Sequence, residues 1–150
     1  MDRTWVWGTG LAAILLAPAA MARVCEVAID STDRMTFSRT EITLDGGCSE
    51  VELTLRHTGT LAATAMGHNW VLTRTADYQP VAMAGMRATL ADSYLPKNDA
   101  RVLAHTAVIG GGQRTRVRFS TRALRKGGDY TFFCSFPGHF AMMKGTLRFG

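Results

Sequence analysis

Near the C-terminus of this 150-residue sequence, three side chains able to bind a metal lie close together. Cys134, His139 and Met143 supply a thiol, an imidazole and a thioether. Between them, Pro137-Gly138 is a turn signal that folds the segment back on itself. Thiolate and thioether are soft ligands and imidazole is a borderline one, a set that favours copper, above all Cu(I), over hard cations. The spacing therefore predicts a copper site in this segment.

One more imidazole would complete a known type of site. Two His and one Cys in a trigonal arrangement, with a weak axial Met, form the blue-copper centres that transfer electrons. The candidates for the second imidazole are His57, His68 and His105. Met142 adjoins Met143, so local sequence leaves open which thioether faces the metal.

The first 22 residues have the form of a secretory signal peptide. A short start that carries Arg3 precedes an uncharged apolar run over residues 5–20, and Ala20-Met21-Ala22 is a small-residue cleavage site. Because a membrane-spanning helix needs about 20 apolar residues, an uncleaved anchor is the less favoured alternative. We therefore expect cleavage after Ala22, export to the periplasm, and one domain over residues 23–150 that does not insert into a membrane.

Export changes how the three cysteines are interpreted, because disulfides persist outside the cytoplasm. Cys25 and Cys48 are expected to pair, which would stabilise the fold by about 3 kcal/mol. The alternative is two unpaired buried thiols. Cys134 then remains as a lone exported thiol, and metal coordination accounts for it because a metal deprotonates and occupies the sulfur.

Most of the chain alternates between apolar and polar residues, which predicts β-strands. The strands are expected over residues 24–29, 34–37, 41–44, 50–56, 68–73, 114–119, 129–133 and 145–149. Between residues 76 and 95, the apolar residues near helical spacing predict one helix, and they are Val81, Met83, Met86 and Leu90. This pattern predicts an all-β protein, a Greek-key sandwich of two sheets with one helical insertion.

Composition and charge exclude several classes of protein. With 47% hydrophobic and 19% charged residues, the chain is neither disordered nor a coiled coil. The net charge of +5 suits an anionic partner, but an exported chain without a nucleic-acid-reading motif gives no reason to expect nucleic acid. Three arginines at alternate positions share one strand face, namely Arg114, Arg116 and Arg118. They form either a solvated face or a surface that steers an acidic redox partner.

These residues and spacings resemble the azurins, small exported blue-copper proteins of bacteria with the cupredoxin fold. The segments that carry the resemblance are the two N-terminal cysteines, Met66-Gly67-His68-Asn69-Trp70, Ala104-His105-Thr106, Phe132-Phe133-Cys134 and Lys144-Gly145-Thr146-Leu147. The resemblance implies that His68, Cys134 and His139 are equatorial copper ligands. It also implies that the Met143 thioether is the axial donor and that the Gly67 carbonyl approaches from the opposite side.

The resemblance further implies a periplasmic electron carrier. It would act as a monomer, without substrate turnover, cycling Cu(I)/Cu(II) between redox proteins such as c-type cytochromes or periplasmic reductases and dehydrogenases. The residues that match the family's apolar docking patch are Met35, Leu61, Met66, Phe136, Phe140 and Met142, together with Gly138 and Ala141. Phe140 departs from the small polar residue usual in azurins, and we expect it to enlarge the patch or shield the edge of His139.

Two other classes of function fit some of the same residues. A copper-trafficking or storage protein would use similar ligands but would expose a labile site. A Cys-His enzyme would use Cys134 as a nucleophile, but no flanking protease signature is present and such an enzyme has no use for Met143.

Overall fold

The computed structural model describes residues 22–150, and the predicted signal peptide lies almost wholly outside them. Within this range the chain forms two β-sheets that pack face to face. The strands are β1 (Val24–Thr32), β2 (Thr36–Phe37), β3 (Glu41–Leu44), β4 (Glu50–His57), β5 (Val71–Arg74), β6 (Ala104–His105), β7 (Arg114–Ser120), β8 (Tyr130–Phe133) and β9 (Lys144–Phe149). The helices are α1 (Ala63–Met66) and α2 (Thr75–Gly85), with short 3-10 turns at Leu90–Asp92 and Thr121–Ala123.

Both sheets are mixed. One sheet has the order β2-β1-β4-β7 and the other has the order β3-β9-β8-β5-β6. The pairs β1–β4 and β3–β9 are parallel, and the remaining pairs are antiparallel. The predicted all-β sandwich of two sheets is confirmed.

Strands β1, β3 and β4 bury one face each, as the sequence predicts, whereas all four residues of β8 are buried. In β4, Val51, Leu53 and Leu55 are at most 1% exposed. At the centre of the core, the Trp70 indole stacks between Phe119 and Phe132, with each pair of ring centroids 6.0 Å apart. Burying one aromatic ring of this size contributes about 3 kcal/mol.

The N-terminal disulfide is confirmed. Cys25 in β1 is bonded to Cys48, and their Cα atoms lie 5.7 Å apart. The bond ties β1 to the segment before β4, and within the described residues Cys134 is the cysteine left outside a disulfide. In residues 22–150 no helix is long and apolar enough to cross a membrane.

The helix prediction was partly wrong. A helix is present, but it ends at Gly85 rather than near Leu95, and Met83 and Met86 are 54% and 48% exposed. Its buried face is instead made by Val81, Ala82 and Gly85. A Cβ atom at Gly85 would lie 2.1 Å from the carbonyl oxygen of Tyr94, so this glycine allows the following segment to pack against the helix.

Two shorter elements also differ from the sequence pattern. The strand expected over residues 34–37 contains Thr36 and Phe37 alone, because residues 33–35 form a turn in which Met35 has a φ of 55°. The two-residue strand β6 and the one-turn helix α1 were not predicted, since neither is long enough to produce a periodic pattern.

Candidate metal centre

Antiparallel pairing of β5 with β8 brings together two segments that are far apart in the chain. Val71 lies opposite Phe133, so the segment before β5 meets the segment after β8. His68 belongs to the first segment and Cys134 to the second. The chain then turns at Pro137-Gly138, where Gly138 has a φ of 82°, a conformation that favours glycine. His139 follows that turn.

Three buried side chains converge at this point. The Cys134 Sγ lies 3.8 Å from the Nδ1 atom of His68 and 3.8 Å from the Nδ1 atom of His139. The two Nδ1 atoms are 3.2 Å apart. The exposed fractions are 0%, 0% and 4% for Cys134, His68 and His139 respectively.

The ring of His68 is held so that Nδ1 faces this centre. Its Nε2 atom lies 2.9 Å from the carbonyl oxygen of Thr32, which can only accept a hydrogen bond. Nε2 therefore carries the hydrogen, and the Nδ1 lone pair is left to bind a metal. The ring also stacks on His57, with centroids 4.5 Å apart.

The other two candidate histidines lie outside the centre. His57 is buried, but its Nε2 atom donates a hydrogen bond to the Met66 carbonyl, and its Nδ1 atom accepts one from the Gly59 N–H. Both ring nitrogens are thus occupied. His105 is an exposed residue of β6. Of the three imidazoles considered from sequence, the structure brings His68 to the thiol.

Backbone hydrogen bonds fix the loop that carries Met143, the candidate thioether ligand. The Cys134 N–H donates to the carbonyl of Met143, and the Met143 N–H donates to the carbonyl of His139, at 3.0 and 2.8 Å. Met143 is 1% exposed, whereas Met142 is 68% exposed. The carbonyl oxygen of Gly67 lies 3.9 Å from the Cys134 sulfur.

A buried polar network that the sequence analysis missed joins the two ligand segments. The Asn69 amide donates to the Ser135 hydroxyl at 2.8 Å and to the Ser93 carbonyl at 3.2 Å, and its oxygen accepts the Ser135 N–H at 2.9 Å. Asn69 follows His68 and Ser135 follows Cys134, so the network fixes one ligand segment relative to the other. Ser93 lies 24 residues and Ser135 lies 66 residues after Asn69 in the chain, and no local sequence pattern reveals contacts over such separations.

Burial determines the protonation states of these groups without a metal. It raises the pKa of the Cys134 thiol to about 12, although backbone hydrogen bonds from Asn69 and Phe136 favour the thiolate. It lowers the pKa of His68 to about 4 and also lowers the pKa of His139. Near neutral pH the centre therefore holds two neutral imidazoles and one thiol.

The donor set and its dimensions fit a single soft or borderline metal ion. In trigonal coordination, metal–ligand bonds of about 2.1 Å place the ligand atoms about 3.6 Å apart. The three measured separations, from 3.2 to 3.8 Å, agree with this value. Two imidazole nitrogens and one sulfur are the equatorial donors of blue-copper sites.

Comparison with known proteins identifies the family. A family model described as copper-binding proteins of the plastocyanin/azurin family matches residues 23–150. The chain belongs to the plastocyanin/azurin family. The azurin of Bordetella pertussis is 50% identical over 141 residues, which cover 94% of this chain and 93% of the relative. The azurin of Achromobacter denitrificans is 49% identical over 139 residues, which cover 91% and 93%.

Solved structures of this family have the same fold. The azurin Az-iso2 of the methylotroph Methylomonas sp. strain J superposes with a TM-score of 0.81 at 44% sequence identity. The match covers 84% of this chain and 98% of that one. Together with the arrangement of His68, Cys134 and His139, membership of the plastocyanin/azurin family assigns copper as the cofactor.

One residue of the expected docking patch, Phe140, makes packing contacts that the sequence did not predict. Phe140 is half-buried and packs against a small cluster beneath α2, made of Val71, Val81, Ala82, Leu95 and Phe133. Its ring lies edge-on to Tyr78, whose hydroxyl donates to the Phe140 carbonyl at 2.7 Å. This packing gives Phe140 a structural role, and its part in docking stays a prediction.

We therefore expect the Phe140→Ser substitution to act mainly on stability. Removing a partly buried ring and placing a hydroxyl against apolar neighbours should lower the free energy of unfolding by about 2 kcal/mol. Urea denaturation of the copper-free protein measures this loss. Met142→Ser is the control, because its side chain is largely exposed and the cost should stay below about 0.5 kcal/mol. Equal costs for both variants would contradict the packing of Phe140.

Copper binding is expected to release one proton per ion near neutral pH. The Cys134 thiol must lose its proton to bind, whereas the imidazoles of His68 and His139 are already neutral. Affinity should fall about tenfold for each pH unit of acidification, and more steeply near pH 4, where His68 also takes up a proton. Calorimetric titration in buffers of different ionisation enthalpy measures the number of protons. Release of two or three protons at pH 7 would show that the histidines start out charged.

Proposed function

We propose that this protein is a periplasmic electron carrier that passes single electrons between redox proteins. The observation that carries the proposal is the buried triad of two imidazoles and one thiol in a chain of the plastocyanin/azurin family. Copper, when bound, supplies the one-electron Cu(I)/Cu(II) couple. The family match begins at residue 23, directly after the predicted cleavage site, which supports export.

The protein's part in this function is to keep the ligands in one arrangement in both oxidation states. Cu(I) and Cu(II) favour different geometries, so ligands that moved between them would slow the transfer. The Thr32 carbonyl and the His57 ring restrain His68. The Asn69 and Phe136 N–H groups hold a sulfur that is completely buried. These contacts lower the reorganisation that accompanies each transfer.

We propose that the Met143 thioether is the axial ligand and that the Gly67 carbonyl approaches from the other side. Burial of Met143 and the near contact of the Gly67 oxygen with the Cys134 sulfur support this assignment. A Cβ atom at residue 67 would collide with the Ala63 carbonyl oxygen and lie 3.1 Å from the Phe136 ring, so glycine lets the chain pass close to the segment after Cys134.

The two adjacent methionines provide a matched test of the axial assignment. Met143→Leu should raise the reduction potential, because loss of a sulfur donor disfavours Cu(II) more than Cu(I). Met142→Leu should leave the potential unchanged, because that side chain is 68% exposed. Protein-film voltammetry compares the two variants. The assignment is wrong if Met142→Leu gives the larger shift.

Electrons are proposed to enter and leave beside His139. Its ring is the slightly exposed member of the triad, and the Phe136 ring lies against it with centroids 4.5 Å apart. The apolar side chains proposed to contact a partner are Met35, Leu61, Met66, Phe136, Phe140 and Met142. Weak complexes between redox proteins use small, dissociable interfaces, which an apolar patch of a few side chains suits.

Burial argues against the enzyme alternative. A nucleophilic cysteine needs a low pKa and access to substrate. The Cys134 sulfur is completely buried, and burial raises its pKa to about 12.

The test combines electrochemistry with the fate of the copper. The copper-loaded protein should show reversible one-electron voltammetry and should reduce a c-type cytochrome in stopped-flow mixing without losing copper. A trafficking or storage protein would instead transfer its copper to an apo-acceptor faster than it transfers electrons. Location is tested separately, by periplasmic fractionation and by mass spectrometry of the mature N-terminus, which is expected at Arg23.

A further inference from the structure

A cleft on the outer face of the four-stranded sheet has no role in holding copper. It encloses about 440 Å³ above strands β1, β4 and β7. The charged side chains that line it are one carboxylate, from Asp30, and three guanidinium groups, from Arg39, Arg56 and Arg114. Convergent guanidinium groups of this kind favour an anionic ligand.

Arginines elsewhere on this face are neutralised by neighbouring carboxylates. Arg116 lies 3.7 Å from Glu52, and Arg118 pairs with Glu50. Both pairs join β7 to β4, so these two arginines form a solvated and internally balanced surface. Of the three alternating arginines identified in the sequence, Arg114 is therefore the one whose charge is not balanced by a carboxylate within the described residues, and it lines the cleft.

In the cleft, one carboxylate faces three guanidinium groups, so the positive charge exceeds the negative charge. Asp30 binds Arg56 through two hydrogen bonds of 3.0 Å. Within residues 22–150, neither Arg39 nor Arg114 pairs with a carboxylate. Arg114 also stands directly opposite Arg56 in the β4–β7 register, and like charges in such positions destabilise a sheet. Pairs of residues that destabilise the fold locally, such as these two arginines, are expected at functional sites.

The cleft lies at the same end of the sandwich as the metal centre. Arg56 directly precedes His57, whose ring stacks on His68. Arg114 is the first residue of β7 and lies in one row with Arg56 and Asp30. A protein seated on this cleft is therefore close to the end of the molecule from which electrons are proposed to leave.

We propose that the cleft binds a glutamate- or aspartate-bearing segment of an acidic partner protein and thereby orients that partner toward the copper end. The orienting role rests on the proposed electron-carrier function, whereas the binding itself does not. Complementary charge of this kind raises association rates and selects partners more than it raises affinity. A nucleic acid is disfavoured, because a phosphate backbone needs a continuous track of cations and the pairing of Arg116 and Arg118 interrupts it.

The first experiment measures binding alone. Hexaglutamate is titrated into the isotopically labelled Cu(I) protein at low salt and followed by NMR, with hexaglutamine and a single-stranded oligonucleotide as comparison ligands. Shifts should cluster at Arg39, Arg56 and Arg114. The double variant Arg39→Glu/Arg114→Glu should weaken hexaglutamate binding about tenfold or more. Arg122→Glu/Lys126→Glu, a charge reversal of the same size at exposed residues beyond the far end of β7, should change it less than about twofold.

The second experiment measures the rate of electron transfer to an acidic c-type cytochrome. At low salt the variant Arg39→Glu/Arg114→Glu should lower the second-order rate constant about tenfold, with the visible spectrum of the copper site unchanged, and the control variant Arg122→Glu/Lys126→Glu should have little effect. The proposal is overturned if shifts spread evenly, if the oligonucleotide binds better than hexaglutamate, or if both variants slow the reaction equally. Localised peptide binding without any electron transfer would overturn the electron-carrier function and the orienting role while leaving the anion cleft in place.

Discussion

Replacing Cys134 with serine is expected to abolish the visible colour of the Cu(II) protein and to weaken copper binding more than about 100-fold. Changes to residues that merely orient a ligand cost 10- to 100-fold in affinity, so the loss of the sulfur itself should exceed that range. The intense colour of blue-copper sites arises from charge transfer between thiolate and copper, and serine has no thiolate. Absorption spectra and competition with a chelator of known affinity measure both effects.

The fold of this variant should persist. Serine is nearly isosteric with cysteine, and its oxygen can still accept the N–H groups of Asn69 and Phe136. His105→Gln serves as the control, because it alters an exposed imidazole outside the centre and should leave colour and affinity intact. Retention of an intense colour in Cys134→Ser would show that another group supplies the charge-transfer band.

The Asn69→Ala substitution is expected to produce the largest loss of stability. The amide of Asn69 satisfies the Ser135 N–H, the Ser135 hydroxyl and the Ser93 carbonyl, all in a buried region. Removing it leaves the buried Ser135 N–H without its partner and opens a cavity, whereas the Ser135 hydroxyl still donates to the Ser93 carbonyl, at a cost of about 3 kcal/mol. Urea denaturation of the copper-free protein measures the loss.

The same substitution should also weaken copper binding by about 10- to 100-fold, because it releases the segments that carry His68 and Cys134 from each other. Gln79→Ala removes an exposed amide from α2 and should change stability by less than about 0.5 kcal/mol. If Asn69→Ala proved as mild as this control, the network would have no role in holding the centre together.

The parts of the centre that depend on local sequence were predictable from it. Cys134 and His139 lie in one short segment, and their spacing, with the proposed ligand Met143 beside them, indicated copper. His68 could not be separated from His57 and His105 by spacing, because its position depends on the pairing of β5 with β8. The hydrogen bonds to both nitrogens of His57, which exclude it as a ligand, are likewise visible only in three dimensions.

The same distinction explains the errors in the fold. The alternation of apolar and polar residues in β4 predicted its buried face correctly, because one face of this strand packs in the core and the opposite face is turned toward solvent. At the end of α2, the apolar residues Met83 and Met86 are exposed, whereas the small residues Ala82 and Gly85 are buried. The segment that contains Tyr94 packs so close to this face of the helix that a small residue is needed at Gly85. The spacing of large apolar residues in the sequence cannot reveal a face made of small ones.

The central claim is that a thiolate at Cys134 and the imidazoles of His68 and His139 bind one copper ion together. Titration of the metal-free, reduced protein with Cu(II), followed by visible absorption and electron paramagnetic resonance, tests this claim most directly. An intense blue colour that saturates at one equivalent, disappears on reduction and returns on oxidation is the expected result. A folded protein that binds Cu(II) but stays pale would contradict it.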